Sequence, residues 1–272
     1  MNKYIFLFLS IFVFQSSFAR VQVDTVSVFS TKMKKELKNV VIVPENYSPK
    51  KHYPVVYLLH GYSDNYAKWI KTVPEIKSYS TEHQFIIVCP DGGYSWYMDS
   101  PVDSTFRYES YIINDLITYI DTHYSTLQDR NNRAITGLSM GGHGALYLAI
   151  RNKNIFAHAG SMSGGVDLRY STKKWDLAKR LGDFETNPEE WNNRSVVNMV
   201  ETLKNKELDL IIDCGVSDFF YQINAGLHRR LMVLNIDHDY TERPGDHGWD
   251  YWRNSIKYQF LFMSECFIKG KK

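Results

Sequence analysis

Cysteine is scarce in this chain, and a bias toward one sign of charge is absent. The three cysteines, Cys89, Cys214 and Cys266, form an odd, widely spaced set. They have neither the CxxC spacing of a metal site nor the density of a disulfide scaffold. Cys89 in "FIIVCP" and Cys214 in "LIIDCG" each end an apolar run, which predicts buried free thiols. Lys and Arg number 32 against 30 Asp and Glu, so no strong field attracts nucleic acid or an anionic membrane. No charge-rich tract, low-complexity segment, internal repeat or linker interrupts the sequence, and one domain over 20–272 is expected.

Long apolar runs are also missing, with one short exception at the start. "MNKYIFLFLSIFVFQSSFAR" places Lys3 before an apolar run from Tyr4 to Phe14, followed by small residues at Ser17 and Ala19. The run is too short for a convincing membrane anchor and reads as a signal peptide over 1–19, cleaved near Ala19. A secreted or periplasmic location without stable membrane insertion follows from that reading. The lack of a cysteine near the cleavage point argues against lipid attachment.

What is present is a core. Hydrophobic residues make up 44% of the 272 positions, ample for a large α/β domain. From Val21 to Val43, apolar and polar residues alternate as in an antiparallel pair. "YPVVYLLHG", "QFIIVCPDGG", "NRAITG", "FAHAGSMSGG" and "LDLIIDCG" are short apolar runs ending in glycine or proline punctuation. Helical patterns separate them: "ESYIINDLITYIDTHY", "GHGALYLAIRNK", "DFFYQINAGLHRRLMVLN" and "WDYWRNSIKYQFLFM". Strands alternating with helices predict an α/β fold, a mainly parallel sheet covered on both faces. Residues 166–206 break the rhythm, with helical pieces but no strand, and are expected to overhang the carboxyl edge of the sheet as a partial cap.

The motif with chemistry is Gly137-Leu138-Ser139-Met140-Gly141, a G-x-S-x-G pattern between a strand and a helix. In that setting it reads as the nucleophile elbow of an α/β-hydrolase, with Ser139 projecting from a turn too tight for side chains at either glycine. A serine hydroxyl needs a base, and this fold supplies its partners in the order serine, acid, histidine. His143, His158, His228 and His238 fall in predicted helices or strands, or beside one, whereas His247 in "RPGDHGWDYW" lies in a glycine-bounded loop. His247 is therefore the expected base. "LIIDCGVSDFF" offers two acids: Asp218, beyond the Gly215 turn, is favoured, and Asp213 at the strand end stands second. Two backbone N–H groups should hold the oxyanion, one from Met140 and one from Tyr62 in "LLHGYSDNYAKW". His60 is expected to brace that loop.

Taken together, "YLLHGYSDNYAKW", "CPDGGYSWYMDSP", "YESYIINDLI", "GLSMGGHGA", "GSMSGGVDL", "DCGVSDFF" and "GDHGWDYWR" resemble one esterase family. It includes esterase D (S-formylglutathione hydrolase), feruloyl and acetyl xylan esterases, tributyrin esterases and the antigen 85 acyltransferases. The resemblance implies an α/β-hydrolase with Ser139, Asp218 and His247 as the triad and Tyr62 and Met140 as oxyanion donors. It also strengthens Asp218 over Asp213 and places Trp96 and Asp99 near the substrate, scaffold duty being the alternative. Trp69, Phe219 and Trp249 flank motif positions and either stack on a ring of the substrate or pack the wall.

The expected activity is that of a serine carboxylesterase acting on short-chain acyl, acetyl or feruloyl esters joined to small molecules or polysaccharide. No metal or organic cofactor is implied. Acyl transfer to a hydroxyl, thioester hydrolysis, and a non-catalytic binding role on the same scaffold are the rivals. The first two would use the same residues, so the sequence does not separate them.

Overall fold

Residues 23–269 are described by a computed structural model of the chain; the expected signal peptide lies outside them. Its framework is one eight-stranded sheet in the order β1-β2-β4-β3-β5-β6-β7-β8. β1 (Val23–Ser30) and β2 (Lys35–Ile42) form the antiparallel pair expected from their alternation. β2 also runs antiparallel to β4 (Ile86–Pro90). The rest is parallel: β3 (Val55–Leu59), β5 (Arg133–Gly137), β6 (His158–Met162), β7 (Asp209–Gly215) and β8 (Asp239–Arg243).

The helices are α1 (Lys68–Thr72), α2 (Ile76–His83), α3 (Tyr108–Ser110), α4 (Ile117–His123), α5 (Met140–Arg151), α6 (Leu177–Leu181), α7 (Pro188–Arg194), α8 (Val196–Met199), α9 (Tyr221–Val233) and α10 (Trp249–Lys269). They cover both faces of the sheet, which explains why β3 to β6 are buried along their whole length. Every residue of β3 is buried, and its side chains divide by pleat. Val55, Tyr57 and Leu59 enter the core shared with Leu146 and Leu227, while Val56 and Leu58 enter the core shared with Trp252 and Phe260. Each such aliphatic side chain contributes about 1.5–3 kcal/mol on burial, so a one-residue slip would exchange the two faces at prohibitive cost.

Some local features depart from the pattern reading. α1 and α2, five and eight residues long, were not among the helical patterns of the sequence. The helix expected over 109–124 contains a π-helical stretch at Tyr111–Leu116 between α3 and α4. α9 begins at Tyr221 rather than at Asp218, because the Asp218 carboxylate accepts the Phe220 N–H at 2.7 Å in the preceding turn. Residues 166–206 hold only helical pieces among the described residues. The three cysteines are buried free thiols, and burial pushes the Cys266 thiol up to about 12. No helix among the described residues is long and apolar enough to cross a membrane.

Parallel strands all end at one edge, and the chain leaves β3, β5, β6, β7 and β8 there through loops. His60 to Tyr62, Ser139, Ser163, Asp218 and His247 lie on those loops. That edge is where an open α/β sheet gathers ligands.

Candidate active site

The elbow forms because two glycines let three backbones meet. A Cβ on Gly137 would stand 2.7 Å from Gly141 and from Leu59, and one on Gly141 would stand 2.6 Å from the carbonyl oxygens of Leu59 and His60. Ser139, between them, is held at φ 55°, ψ −116°. Its N–H donates to Met162 O at 2.9 Å and its carbonyl accepts from Gly165 at 3.2 Å, so the neighbouring strand loop fixes the strained residue. Gly141→Ala forces a methyl group against backbone and is expected to cost about 1–3 kcal/mol, lowering Tm by several degrees. A thermal melt beside wild type checks this.

His247 meets Ser139 across the chain. Its Nε2 lies 2.9 Å from Ser139 Oγ, and its Nδ1 lies 2.9 and 2.8 Å from the two carboxylate oxygens of Asp218. An ionised carboxylate only accepts, so Nδ1 carries the proton and Nε2 presents its lone pair to the serine hydroxyl. Phe219, Phe220 and Trp252 surround the imidazole, with ring centroids 4.1, 5.2 and 4.9 Å away. Asp218 is buried, with its carboxylate closed off from solvent. The set of hydroxyl, imidazole and carboxylate can move one proton from Oγ to Nε2 while the carboxylate stabilises the resulting imidazolium.

The loop after β3 lies against the serine: a Cβ on Gly61 would be 3.6 Å from Ser139 Cβ. Tyr62 follows Gly61 in a turn closed by Asp64 N–H to Gly61 O at 3.2 Å. Met140 opens α5, where first-turn N–H groups lack partners within the helix. His60 braces this loop from behind. Its Nδ1–H donates to Gly61 O at 2.8 Å, and its Nε2 accepts the Gly92 N–H at 2.8 Å. Burial lowers its pKa, consistent with a neutral ring of fixed tautomer. Tyr97 Oη donates to His60 O and accepts from His60 N–H.

The family model described as "Esterase: Putative esterase" matches residues 30–263. The chain belongs to that esterase family. It is 26% identical over 262 residues to an acetyl esterase of Caldicellulosiruptor saccharolyticus, covering 88% of this chain and 97% of that one. It also superposes on a ferulic acid esterase with TM-score 0.78 and 24% identity, over 91% of this chain and 99% of the other. An S-formylglutathione hydrolase of Staphylococcus aureus superposes with TM-score 0.79 and 22% identity, over 90% and 99%. The fold is that of the α/β-hydrolases, and the protein is a hydrolase of carboxylic esters.

The esterase separates the remaining candidates. Asp213 does not reach His247: it is enclosed under α10, where Ser255 Oγ and Gln259 Nε2 (2.8 Å) donate to it. Burial holds its carboxyl above the usual range, against those donations and the Arg243 charge. Of the two readings left open for Trp69, stacking on substrate or packing, the structure places it in the core. It has no exposed surface, and its Nε1 donates to Leu59 O at 3.0 Å. Trp249 packs edge-on against it at 5.0 Å. Trp96 is buried too, its Nε1 donating to Trp175 O at 3.0 Å. Asp99 accepts from Ser110 N–H at 2.9 Å and from its hydroxyl, which ties a loop to α3. Phe219, by contrast, is 47% exposed beside His247.

Other histidines stand apart. His143 is buried between Trp96 and Tyr147, its Nε2 donating to Arg194 O at 2.9 Å, and burial pushes its pKa down to about 4. His158 Nδ1 donates to Asp209 at 2.8 Å, and His228 and His238 bond each other at 2.8 Å. The sequence did not single out Trp175, whose ring stacks on Phe219 beside His247; it shares the 166–206 segment with Trp191, which is buried, and nothing in the pattern separates the two.

Proposed function

We propose that the chain is a secreted serine carboxylesterase, a single domain over 20–272 after loss of residues 1–19. Ser139 is the nucleophile, His247 the base and Asp218 the acid. His247 Nε2 takes the Oγ proton as Oγ attacks the ester carbonyl; the N–H groups of Tyr62 and Met140 hold the oxyanion. The imidazolium then protonates the leaving alcohol, and water, deprotonated by the same Nε2, releases the acid and restores Ser139. The observation that carries the reading is the imidazole bridging Ser139 Oγ at 2.9 Å and Asp218 at 2.8 Å.

Acetyl and other short acyl esters, or feruloyl esters, of a carbohydrate are the proposed substrates. The acetyl esterase relative, aligned over 88% of this chain, supports the acetyl arm. A panel of acetyl, butyryl and feruloyl esters with acetylated xylan tests it. Turnover of acetyl or feruloyl esters above butyryl, with acid released from the polysaccharide, is expected. Turnover of the small esters with no acid released from acetylated xylan would overturn the carbohydrate assignment. Product analysis with a sugar acceptor should show free acid rather than a new ester.

A further inference from the structure

We propose that Trp175 and Phe219 form the wall that receives the alcohol part of the ester and selects it by ring contact. This rests on the reading of Ser139 and His247 given above. In acylation the Oγ–carbonyl bond forms and the bond from carbonyl carbon to alcohol oxygen breaks. The leaving oxygen takes its proton from His247 Nε2, so it must come within hydrogen-bond reach of that atom. The group attached to it therefore lies on the histidine side of Ser139.

Two rings occupy that side. Phe219 lies 4.1 Å from the His247 ring and is 47% exposed. Trp175 stacks on Phe219 at 5.9 Å and 15°. Phe220 underlies both, 5.3 Å from Trp175 and 5.2 Å from His247. Trp175 is held there against its own backbone preference. It has φ 55° and Asp176 has φ 54°, two consecutive left-handed residues without a glycine. Strain of this kind persists only where surrounding contacts fix it. Here the fixing contact is Trp96, itself at φ 57°, whose indole N–H binds Trp175 O and whose ring fills the space where a Cβ on Gly165 would come within 2.7 Å. The partly exposed aromatic pair so maintained stands beside the His247 ring through Phe219, with Trp175 stacked behind it.

Because the acyl-enzyme no longer contains the alcohol, the wall acts in acylation and not in deacylation. The experiment compares wild type, Trp175→Ala, Trp175→Phe and Phe219→Ala on two series: naphthyl against ethyl acetate, and naphthyl acetate against naphthyl butyrate. Taking the ratio for each enzyme cancels the intrinsic reactivity of the esters. Trp175→Ala should lower the naphthyl-to-ethyl ratio of kcat/KM by about five- to tenfold, the scale of a lost aromatic contact. Trp175→Phe should keep most of it, and Phe219→Ala should shift it the same way, providing a readout if Trp175→Ala does not fold. The acetyl-to-butyryl ratio and the deacylation rate after the burst should not move. An unmoved alcohol ratio in folded variants, or a shift confined to the acyl ratio, overturns the wall while leaving the Ser139 reading intact. Wild type that leaves every ester at the background rate overturns both.

Discussion

Ser139→Ala should lower kcat/KM on an activated acetyl ester by about 10³-fold or more, with a folded protein left behind. In the proposed mechanism the hydroxyl oxygen is the atom that bonds to the carbonyl carbon, and alanine supplies no substitute. Residual rate is expected from the amides of Tyr62 and Met140, which do not depend on the serine side chain. His247→Ala should do similar damage, since Oγ then lacks the lone pair 2.9 Å away. The double variant should be little worse than either single one, because serine and histidine act as a unit. Strictly additive losses would mean that the two side chains work separately.

The second large effect separates two aspartates five positions apart. Asp218→Asn should reduce kcat by about 10⁴-fold, the scale seen when the orienting acid of such a triad is amidated. An asparagine facing Nδ1 can present its NH₂, which favours the tautomer with the proton on Nε2 and blocks uptake of the serine proton. Asp213→Asn should act on stability instead. Asp213 is buried and accepts from Ser255 and Gln259, and an amide there leaves one donor facing another. A lower Tm with kcat/KM near wild type at low temperature is the expected result. Loss of activity in Asp213→Asn with normal turnover in Asp218→Asn would exchange the two roles.

Much of this was legible in the chain because it depends on local constraint. Gly137 and Gly141 mark a turn whose steric demand is visible in the pattern, and apolar runs with glycine ends marked β3, β4, β5, β6 and β7. Loop placement distinguished His247 from histidines in regular elements. Other features depend on contacts between distant segments. Trp69 and Phe219 both flank motifs, yet one is sealed in the core and the other is open. Only packing under α10 decides that. Trp175 owes its position to a hydrogen bond from Trp96 across 79 residues and to left-handed φ at a tryptophan, which no propensity favours.

Ser139 is proposed as an activated nucleophile. Mass spectrometry after reaction with a fluorophosphonate tests it most directly. One adduct is expected, on the peptide carrying Ser139, lost in Ser139→Ala and strongly slowed in His247→Ala. An unlabelled folded wild type, or an adduct on another residue, would contradict it.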